Sequence, residues 1–496
     1  MVALRATALL CLFAIVAYAD SEADYYALHN YPLPAELKLE ASGLATLPDG
    51  RLAVAIRKGE VWILDNPTET AEEPEAYRWS RFASGLHEPL GLAWQDGALY
   101  TTQRSEVTRL EDSNADGVAD AYLTAAKGWG VSGNYHEYAY GPVFDNAGNL
   151  WVTLNVTIGS IPKIPGRTDR SWPWRGWSMM QRPGGDLQPV SAGLRSPSGI
   201  GTNLAGDVFS TDQQGNWWGT CPLLHLKPGV FHGHADSLND SKRPDSPVKH
   251  PGKLPAGITV AEAIDKLPGY MPPAVWFPYN KVGASTTGIL CDRTAGKFGP
   301  FAGQLFVGEF THAFVSRTFL EKVDGEYQGA CFNFRRGMQT AVLQMASLKD
   351  GSMVVGQSNR GWNSIGTRSF GLARLVWTGK TPFEILKMEA QPDGFLLTFT
   401  APVDSTLAAK PSGYAMKSYT YHYHKGYGSP EVNTKPVKIA SAMVSEDGRS
   451  VKLTCDGLRS GYVHELDASG LSAADGRKLL HAQAYYTLNR IPKARR

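Results

Sequence analysis

The chain contains 496 residues, of which 43% are hydrophobic and 10% aromatic, a composition that excludes a disordered protein. Its 49 Lys and Arg residues nearly balance its 47 Asp and Glu residues, leaving a net charge of +2. This balance argues against the basic surface of a nucleic-acid-binding protein. No segment approaches the roughly 20 apolar residues of a membrane-spanning helix, so we predict no membrane insertion.

The first 19 residues are typical of a secretory signal peptide. Arg5 supplies a positive charge, residues 8–16 are apolar, and Ala17-Tyr18-Ala19 forms a cleavage site of the small-x-small type. The apolar stretch is too short to span a bilayer. We therefore predict cleavage after Ala19 and a periplasmic or secreted mature protein.

One pattern then recurs six times: an apolar strand, a tight turn with Gly, Asp or Asn, and a second apolar strand. The copies lie at residues 43–55, 91–102, 141–153, 199–211, 288–310 and 343–356. A repeated hairpin with a period of roughly 40–50 residues is typical of a β-propeller. We predict an all-β chain with a six-bladed propeller over residues 20–380, interrupted by a long insertion at about 217–279. Its chemistry is expected on the loops around the central channel.

The pattern changes after residue 380. Residues 381–496 contain several short apolar strands separated by turn residues. This spacing predicts a C-terminal β-sandwich of immunoglobulin-like type.

Four cysteines remain after the predicted cleavage, and none belongs to a Cys-x-x-Cys motif. They are Cys221, Cys291, Cys331 and Cys455. Export permits disulfides, and Cys291 and Cys331 could meet within one blade. Free buried thiols are the equal alternative.

A segment after the second repeat resembles most of an EF-hand calcium loop. Oxygen-bearing residues alternate, Gly117 permits the sharp turn, and Leu123 stands where a bidentate Glu would complete the loop. The predicted Ca²⁺ ligands are Asp112, Asn114, Asp116, Asp120 and the carbonyl of Val118. The alternative is a hydrogen-bonded Asx turn without metal.

Two loops before inner strands carry candidate catalytic residues. His136 could act as a general base, with the adjacent Glu137 as its orienting or acid partner. Adjacent residues on a strand face opposite ways, so the two need not act together. Arg195 could bind a carboxylate or a sugar oxygen, or form a salt bridge between blades.

Further polar and aromatic residues are expected near the same mouth. His232 and His234 have His-x-His spacing near Asp236, which suits either a metal site or a polar channel wall. The remaining candidates for substrate or cofactor binding are Glu88, Trp217, His312, Arg360 and Trp362. Together they indicate a polar, stackable ligand such as a sugar or a flat cofactor, whereas tryptophans packed between blades are the structural alternative.

Several of these segments resemble the glucose/sorbosone dehydrogenase family. The residues that carry the resemblance are Glu88-Pro-Leu-Gly-Leu-Ala-Trp94, residues 128–138, Leu194-Arg-Ser-Pro-Ser-Gly199 and Arg360-Gly-Trp362. The family comprises six-bladed periplasmic propellers similar to soluble quinoprotein glucose dehydrogenase. The chain is most similar to a bacterial branch often fused to cytochrome c domains.

The resemblance implies an exported oxidoreductase that acts on a sugar or polyol with pyrroloquinoline quinone (PQQ). His136 stands where the family's His accepts the sugar proton, and Arg195 resembles a cofactor-binding Arg. The chain contains no Cys-x-x-Cys-His haem motif, so a separate electron acceptor such as a cytochrome c is expected. Two other functions stay open: a metal-assisted hydrolase or lyase of lactonase-like type, and a non-catalytic carbohydrate-binding or scaffold protein.

Overall fold

The computed structural model describes residues 20–159, 172–255, 257–361 and 363–494. The predicted signal peptide and Trp362 lie outside these residues. The described chain is all-β, and six antiparallel blades form a propeller, as predicted. None of its helices is long and apolar enough to cross a membrane.

Two short elements precede the first blade. They are helix α1 (Glu22–Tyr25) and strand β1 (Tyr26–Asn30). The first blade contains β2 (Ala41–Thr46), β3 (Leu52–Ile56), β4 (Glu60–Leu64) and β5 (Trp79–Ala83), with a 3₁₀ turn at Pro74–Ala76. The second contains β6 (Leu92–Gln95), β7 (Ala98–Thr102), β8 (Glu106–Glu111) and β9 (Ala121–Lys127). The third contains β10 (Ala139–Phe144), β11 (Leu150–Leu154), β12 (Trp177–Gln181) and β13 (Leu187–Ala192).

The fourth blade carries the insertion between its third and fourth strands. Its elements are β14 (Gly199–Thr202), β15 (Val208–Thr211), β16 (Cys221–His225), a 3₁₀ segment (Ala235–Lys242), β17 (Ile258–Thr259), α2 (Val260–Lys266) and β18 (Val275–Phe277). The insertion predicted at about 217–279 therefore includes two strands of the blade itself, β16 and β18. The predicted span was too wide because these strands are short and follow no hairpin signal.

The fifth and sixth blades complete the ring. The fifth contains β19 (Thr286–Cys291), β20 (Leu305–Glu309), β21 (Phe314–Val323) and β22 (Glu326–Arg335). The sixth contains β23 (Val342–Ser347), β24 (Met353–Ser358) and β25 (Phe370–Trp377). Its outermost strand is β1, which pairs antiparallel with β25 over five residues. The N-terminal strand thus closes the propeller, which leaves no open edge between the first and last blades.

Five of the six repeats begin with a glycine, and the reason for this is steric. A Cβ atom at Gly91 would lie 2.1 Å from the carbonyl oxygen of Gly141, and one at Gly199 would lie 2.0 Å from that of Thr287. In each case the clash is with the first strand of the next blade. Because these strands converge on the channel, only glycine fits.

The C-terminal part forms two sheets around one core. Its elements are β26 (Ile385–Gln391), β27 (Gly394–Phe399), α3 (Ser405–Ala408), a 3₁₀ turn (Pro411–Gly413), β28 (Ala415–Thr420), β29 (His422–Tyr423), β30 (Val432–Pro436), β31 (Lys438–Val444), β32 (Ser450–Asp456), β33 (Tyr462–Asp467) and β34 (Gln483–Leu488). One sheet has the order β26-β27-β32-β31, and the other has the order β34-β33-β28-β30.

The second of these sheets continues the fifth blade. Strand β34 pairs with β22, so blade and sandwich form one eight-stranded sheet. The sandwich core also contains Phe319 and Phe332 from the fifth blade. The boundary predicted near residue 381 falls between β25 and β26. The immunoglobulin-like type of the sandwich stays a prediction.

Cys221, Cys291, Cys331 and Cys455 are buried free thiols. Of the two alternatives for Cys291 and Cys331, the structure therefore shows the one without a disulfide.

Candidate functional site at the channel mouth

The rim loops of four blades are fixed by the same kind of contact. A polar side chain at the end of the second strand accepts hydrogen bonds from backbone N–H groups of the loop before the first strand. These side chains are Gln103, Asp212, Glu309 and Gln357. Such bonds satisfy buried backbone donors and hold the loops in place. In the first and third blades, the corresponding positions are occupied by Arg57 and Asn155, and both line the central cavity.

The mouth of the channel contains a cavity of about 270 Å³, near the lower end of the size range of ligand pockets. All six blades contribute to its wall, and Tyr427 reaches it from the C-terminal part. Among its lining residues are Arg57, Arg195, Arg360 and His136, but no Asp or Glu. The described wall therefore favours an anionic or strongly polar ligand.

His136 lies on this wall, as the sequence suggested, and its ring carries no hydrogen bond within the described chain. Its backbone N–H donates to Asn134 Oδ1 at 2.9 Å, which fixes the start of the loop. Burial, together with the positive charges of Arg195 and Arg104, lowers the pKa of His136 below its ordinary 6.5. The imidazole is therefore neutral at physiological pH and can accept a proton.

Glu137 lies on the other side of the same loop and does not line the cavity. It is fully buried, and its carboxylate accepts hydrogen bonds from the hydroxyls of Ser132 and Thr157, both at 2.7 Å. The backbone N–H of Ser132 also donates to it. These contacts close the loop, so the structure does not bring Glu137 together with His136 as a catalytic pair.

Arg195 also lines the cavity, and no described carboxylate lies within ion-pair distance of its guanidinium. Its Nε is buried without a hydrogen-bond partner. The backbone N–H groups of Arg195 and Ser196 each donate to Asp212 at 2.6 Å, which positions the loop. The side chain packs on Gly215, where a Cβ atom would lie 2.2 Å from Nε. Arg195 is thus a positioned cation with hydrogen-bonding capacity left for a ligand.

Glu88 does not line the cavity but holds a residue that does. Its carboxylate bonds to Arg57 Nε at 3.2 Å and to Arg104 Nε at 2.6 Å. Burial opposes ionisation, but Arg104 and Arg57 together lower the pKa of Glu88. The Arg104 guanidinium lies 3.9 Å from the centre of the Tyr138 ring. Arg360, which does line the cavity, pairs with Glu40 at 2.7 Å.

The remaining predicted ligand-binding residues lie away from the cavity wall. His232 and His234 are buried, and burial lowers the pKa of each to about 3. Trp217 packs against Tyr423 with ring centres 5.0 Å apart, and the His312 ring contacts Asn280 at 3.0 Å. The structure therefore does not assemble the proposed group of His232, His234 and Asp236 at the channel mouth. Trp362 lies outside the described residues.

The predicted calcium loop lies at the opposite end of the second blade, because β7 ends at the mouth and the strands alternate in direction. The Asp112 carboxylate accepts hydrogen bonds from the backbone N–H groups of Asp116 and Gly117. The Asp116 carboxylate accepts one from the N–H of Val118, and the Asp120 carboxylate accepts one from the N–H of Ser113. No group of three or more His, Cys, Asp or Glu that could hold a metal occurs in the described chain. The Asx turn accounts for the contacts of Asp112, Asn114, Asp116, Val118 and Asp120, and calcium stays a prediction.

Sequence reasoning missed most of the wall, including Arg57, Asn155, Tyr135 and Tyr427. Arg57 and Asn155 directly follow the second strands of their repeats, so comparison of equivalent positions between repeats would have found them. Tyr135 adjoins His136, and this position beside the candidate base was the available signal. Tyr427 carried no signal, because it comes from a different part of the chain.

The chain matches the family model described as a domain of unknown function (DUF7133) over residues 58–341. It belongs to this family. No curated protein matches the chain.

Several solved structures are similar to the chain. The PQQ-bound form of an aldose sugar dehydrogenase from Streptomyces coelicolor is 17% identical, with 71% of this chain and 98% of that chain covered and a TM-score of 0.45. The soluble aldose sugar dehydrogenase of Escherichia coli in its apo form is 14% identical, with 71% and 99% covered and a TM-score of 0.48. The PQQ domain of pyranose dehydrogenase from Coprinopsis cinerea is 13% identical, with 71% and 95% covered and a TM-score of 0.47.

Proposed function

We propose that the protein is an oxidoreductase of the glucose/sorbosone dehydrogenase type that oxidises a sugar or polyol at the channel mouth. The observation that carries this proposal is the neutral, unbonded His136 ring in a cavity that also contains the unpaired guanidinium of Arg195. A base and a cation on one small polar cavity can remove a hydroxyl proton and orient the oxygen.

The wall suits a ligand with many hydroxyl groups. It presents hydroxyl and amide side chains, including Ser42, Ser198 and Gln213, beside aromatic rings. Such a mixture of polar donors and flat apolar surfaces is typical of small-molecule sites. His136 would accept the proton of the substrate hydroxyl whose carbon is oxidised.

The same cavity fits PQQ, a flat quinone with three carboxylates. Arg57, Arg195 and Arg360 line the cavity, and no Asp or Glu does. Glu88 and Glu40 pair with Arg57 and Arg360 from outside the wall. The buried Arg195 Nε and Asn155 Oδ1 have no hydrogen-bond partner among the described residues. Arg195 and Arg57 would hold the carboxylates. When bound, PQQ supplies the two-electron oxidant for the substrate carbon.

The rest of the proposal concerns location and electron flow. The signal peptide predicted from residues 1–19 would direct the protein to the periplasm or outside the cell. A separate acceptor, such as a cytochrome c, would reoxidise the cofactor. Among the described residues no metal-binding group favours the hydrolase or lyase alternative.

The test is a dye-linked oxidation assay over a panel of aldoses and polyols, with PQQ and Ca²⁺ added to the purified protein. We expect turnover and quinone binding, and we expect His136→Asn to lower kcat by about 10²–10⁴ while quinone still binds. His29→Asn, which changes an exposed histidine of β1 remote from the cavity, is the matched control. Absence of both turnover and quinone binding would refute the proposal, and glycan binding without turnover would favour a non-catalytic carbohydrate-binding protein.

A further inference from the structure

Two tyrosine rings stand exposed at the edge of the cavity. Tyr135 is 52% exposed and Tyr427 is 63% exposed, although both line the cavity wall. Large rings usually bury their faces, so exposed rings beside a pocket indicate a surface that a ligand covers.

The C-terminal part holds Tyr427 at the propeller rim through its backbone. Tyr427 lies in the loop between β29 and β30, and this loop is hydrogen-bonded to the segment that follows β15. The bonds join Gly428 to Gly215 at 3.0 Å, Lys425 to Asn216 at 2.8 Å and His424 to Trp217 at 3.0 Å. The ring is therefore fixed in position without being buried.

Each exposed ring is paired with an arginine of the wall. The Arg195 guanidinium lies 5.5 Å from the centre of the Tyr427 ring, and that of Arg57 lies 5.8 Å from the Tyr135 ring. Arg57 also donates to the Tyr135 hydroxyl at 3.3 Å. Such cation–π contacts orient the rings in advance, so little conformational freedom is lost when a ligand binds.

The size of the cavity decides what these rings can contact. A cavity of about 270 Å³, part of which PQQ would occupy in the proposed function, accepts at most a small further ligand, so a longer molecule must extend over the rim. The C–H faces of a sugar ring pack well on flat aromatic rings. We propose that Tyr135 and Tyr427 form a rim subsite for a second sugar ring, so that the protein prefers oligosaccharides to monosaccharides.

This inference rests on the proposed function for the reaction, but binding at the subsite can be measured without turnover. The experiment compares glucose with α- and β-linked glucose disaccharides and trisaccharides, by calorimetric binding and by oxidation kinetics. We expect the Kd and KM of at least one linked series to be about tenfold lower than those of glucose, because stacking one additional sugar ring contributes about that much affinity. Tyr427→Ala should abolish this gain, so that the linked sugars bind with the same Kd as glucose.

Two further variants make the result specific. Tyr427→Phe keeps the ring and should keep the gain, because the Tyr427 hydroxyl makes no hydrogen bond to the described chain. Tyr122→Ala removes a tyrosine that is 43% exposed at the opposite end of the second blade, and it should behave as the unaltered protein. An unchanged Tm of Tyr427→Ala would show that the fold of the variant is intact.

The outcomes separate the two proposals. In one outcome, the protein oxidises sugars, but its Kd and KM are equal for short and long chains and do not change in Tyr427→Ala. This outcome overturns the subsite and leaves the proposed function standing. Trisaccharide binding that depends on Tyr427, without oxidation of any sugar, supports the subsite and refutes the oxidoreductase.

Discussion

A buried histidine at the joint of three structural parts should make the stability of the protein fall at alkaline pH. His481 precedes β34 of the sandwich and contacts Glu384, before β26, at 2.7 Å through Nδ1. Its Nε2 contacts Glu22 of α1 at 3.0 Å. Glu22 also lies 3.7 Å from Arg335 of the fifth blade. The imidazolium therefore joins the N-terminal segment to the C-terminal sandwich beside the fifth blade.

The magnitude follows from the pKa of this histidine. Burial alone would lower the pKa of His481, but the charges and hydrogen bonds of Glu384 and Glu22 outweigh it and raise the pKa from 6.5 to about 9. Because the folded pKa is raised, the contribution is fully present below about pH 6.5 and is lost as the pH rises through 9. At 1.36 kcal/mol per pH unit it amounts to about 3 kcal/mol, most of which is present at pH 7 and almost none at pH 10.

The assay is denaturant unfolding followed by tryptophan fluorescence at pH 7 and pH 10. Lysines and tyrosines also titrate in this interval, so the measured quantity is the difference between the unaltered protein and His481→Gln. We expect the unaltered protein to lose about 2–3 kcal/mol more free energy of unfolding than the variant. His29→Gln, at an exposed site, should match the unaltered protein. Equal losses in all three proteins would refute the reasoning.

Three further predictions concern the cavity and the Asp112 loop. The lowered pKa of His136 should place the acidic limb of kcat/KM below pH 6.5, and a limb above 6.5 would contradict the assignment of this base. Gly215→Ala should push the Arg195 guanidinium out of position, because the new Cβ would lie 2.2 Å from Nε, and should weaken quinone binding about 10- to 150-fold. Gly185→Ala, where the nearest atom is 3.5 Å away, is its control, and equal quinone affinity in both variants would contradict the packing argument. Chelation with EGTA should leave the Tm unchanged if the Asx turn alone holds the loop, because Asp112 and Asp116 bind backbone amides, whereas a drop of several degrees would support the calcium prediction.

Local patterns identified much of this architecture. Each blade begins with a hairpin whose turn and strand residues are neighbours in the chain, so six copies of the pattern were visible without any tertiary information. The change of pattern after residue 380 is local in the same way. His136 and Arg195 lie on the cavity wall because both precede an inner strand, a position that the repeat itself defines.

The selection among candidate residues could not be made in this way. Glu137 adjoins His136, but its carboxylate is turned towards Ser132 and Thr157, since the local hydrogen bonds of the loop decide its direction. His232 and His234 have ligand-like spacing, yet the packing of the insertion buries them away from the mouth.

The repeat pattern established the six blades and the end of the channel at which to search, because hairpins depend on neighbouring residues. Only the tertiary structure showed that β1 closes the ring, that β34 joins the sandwich to the fifth blade, and that Tyr427 completes the cavity. These contacts join segments more than 150 residues apart, and their formation depends on which surfaces meet after the blades have packed.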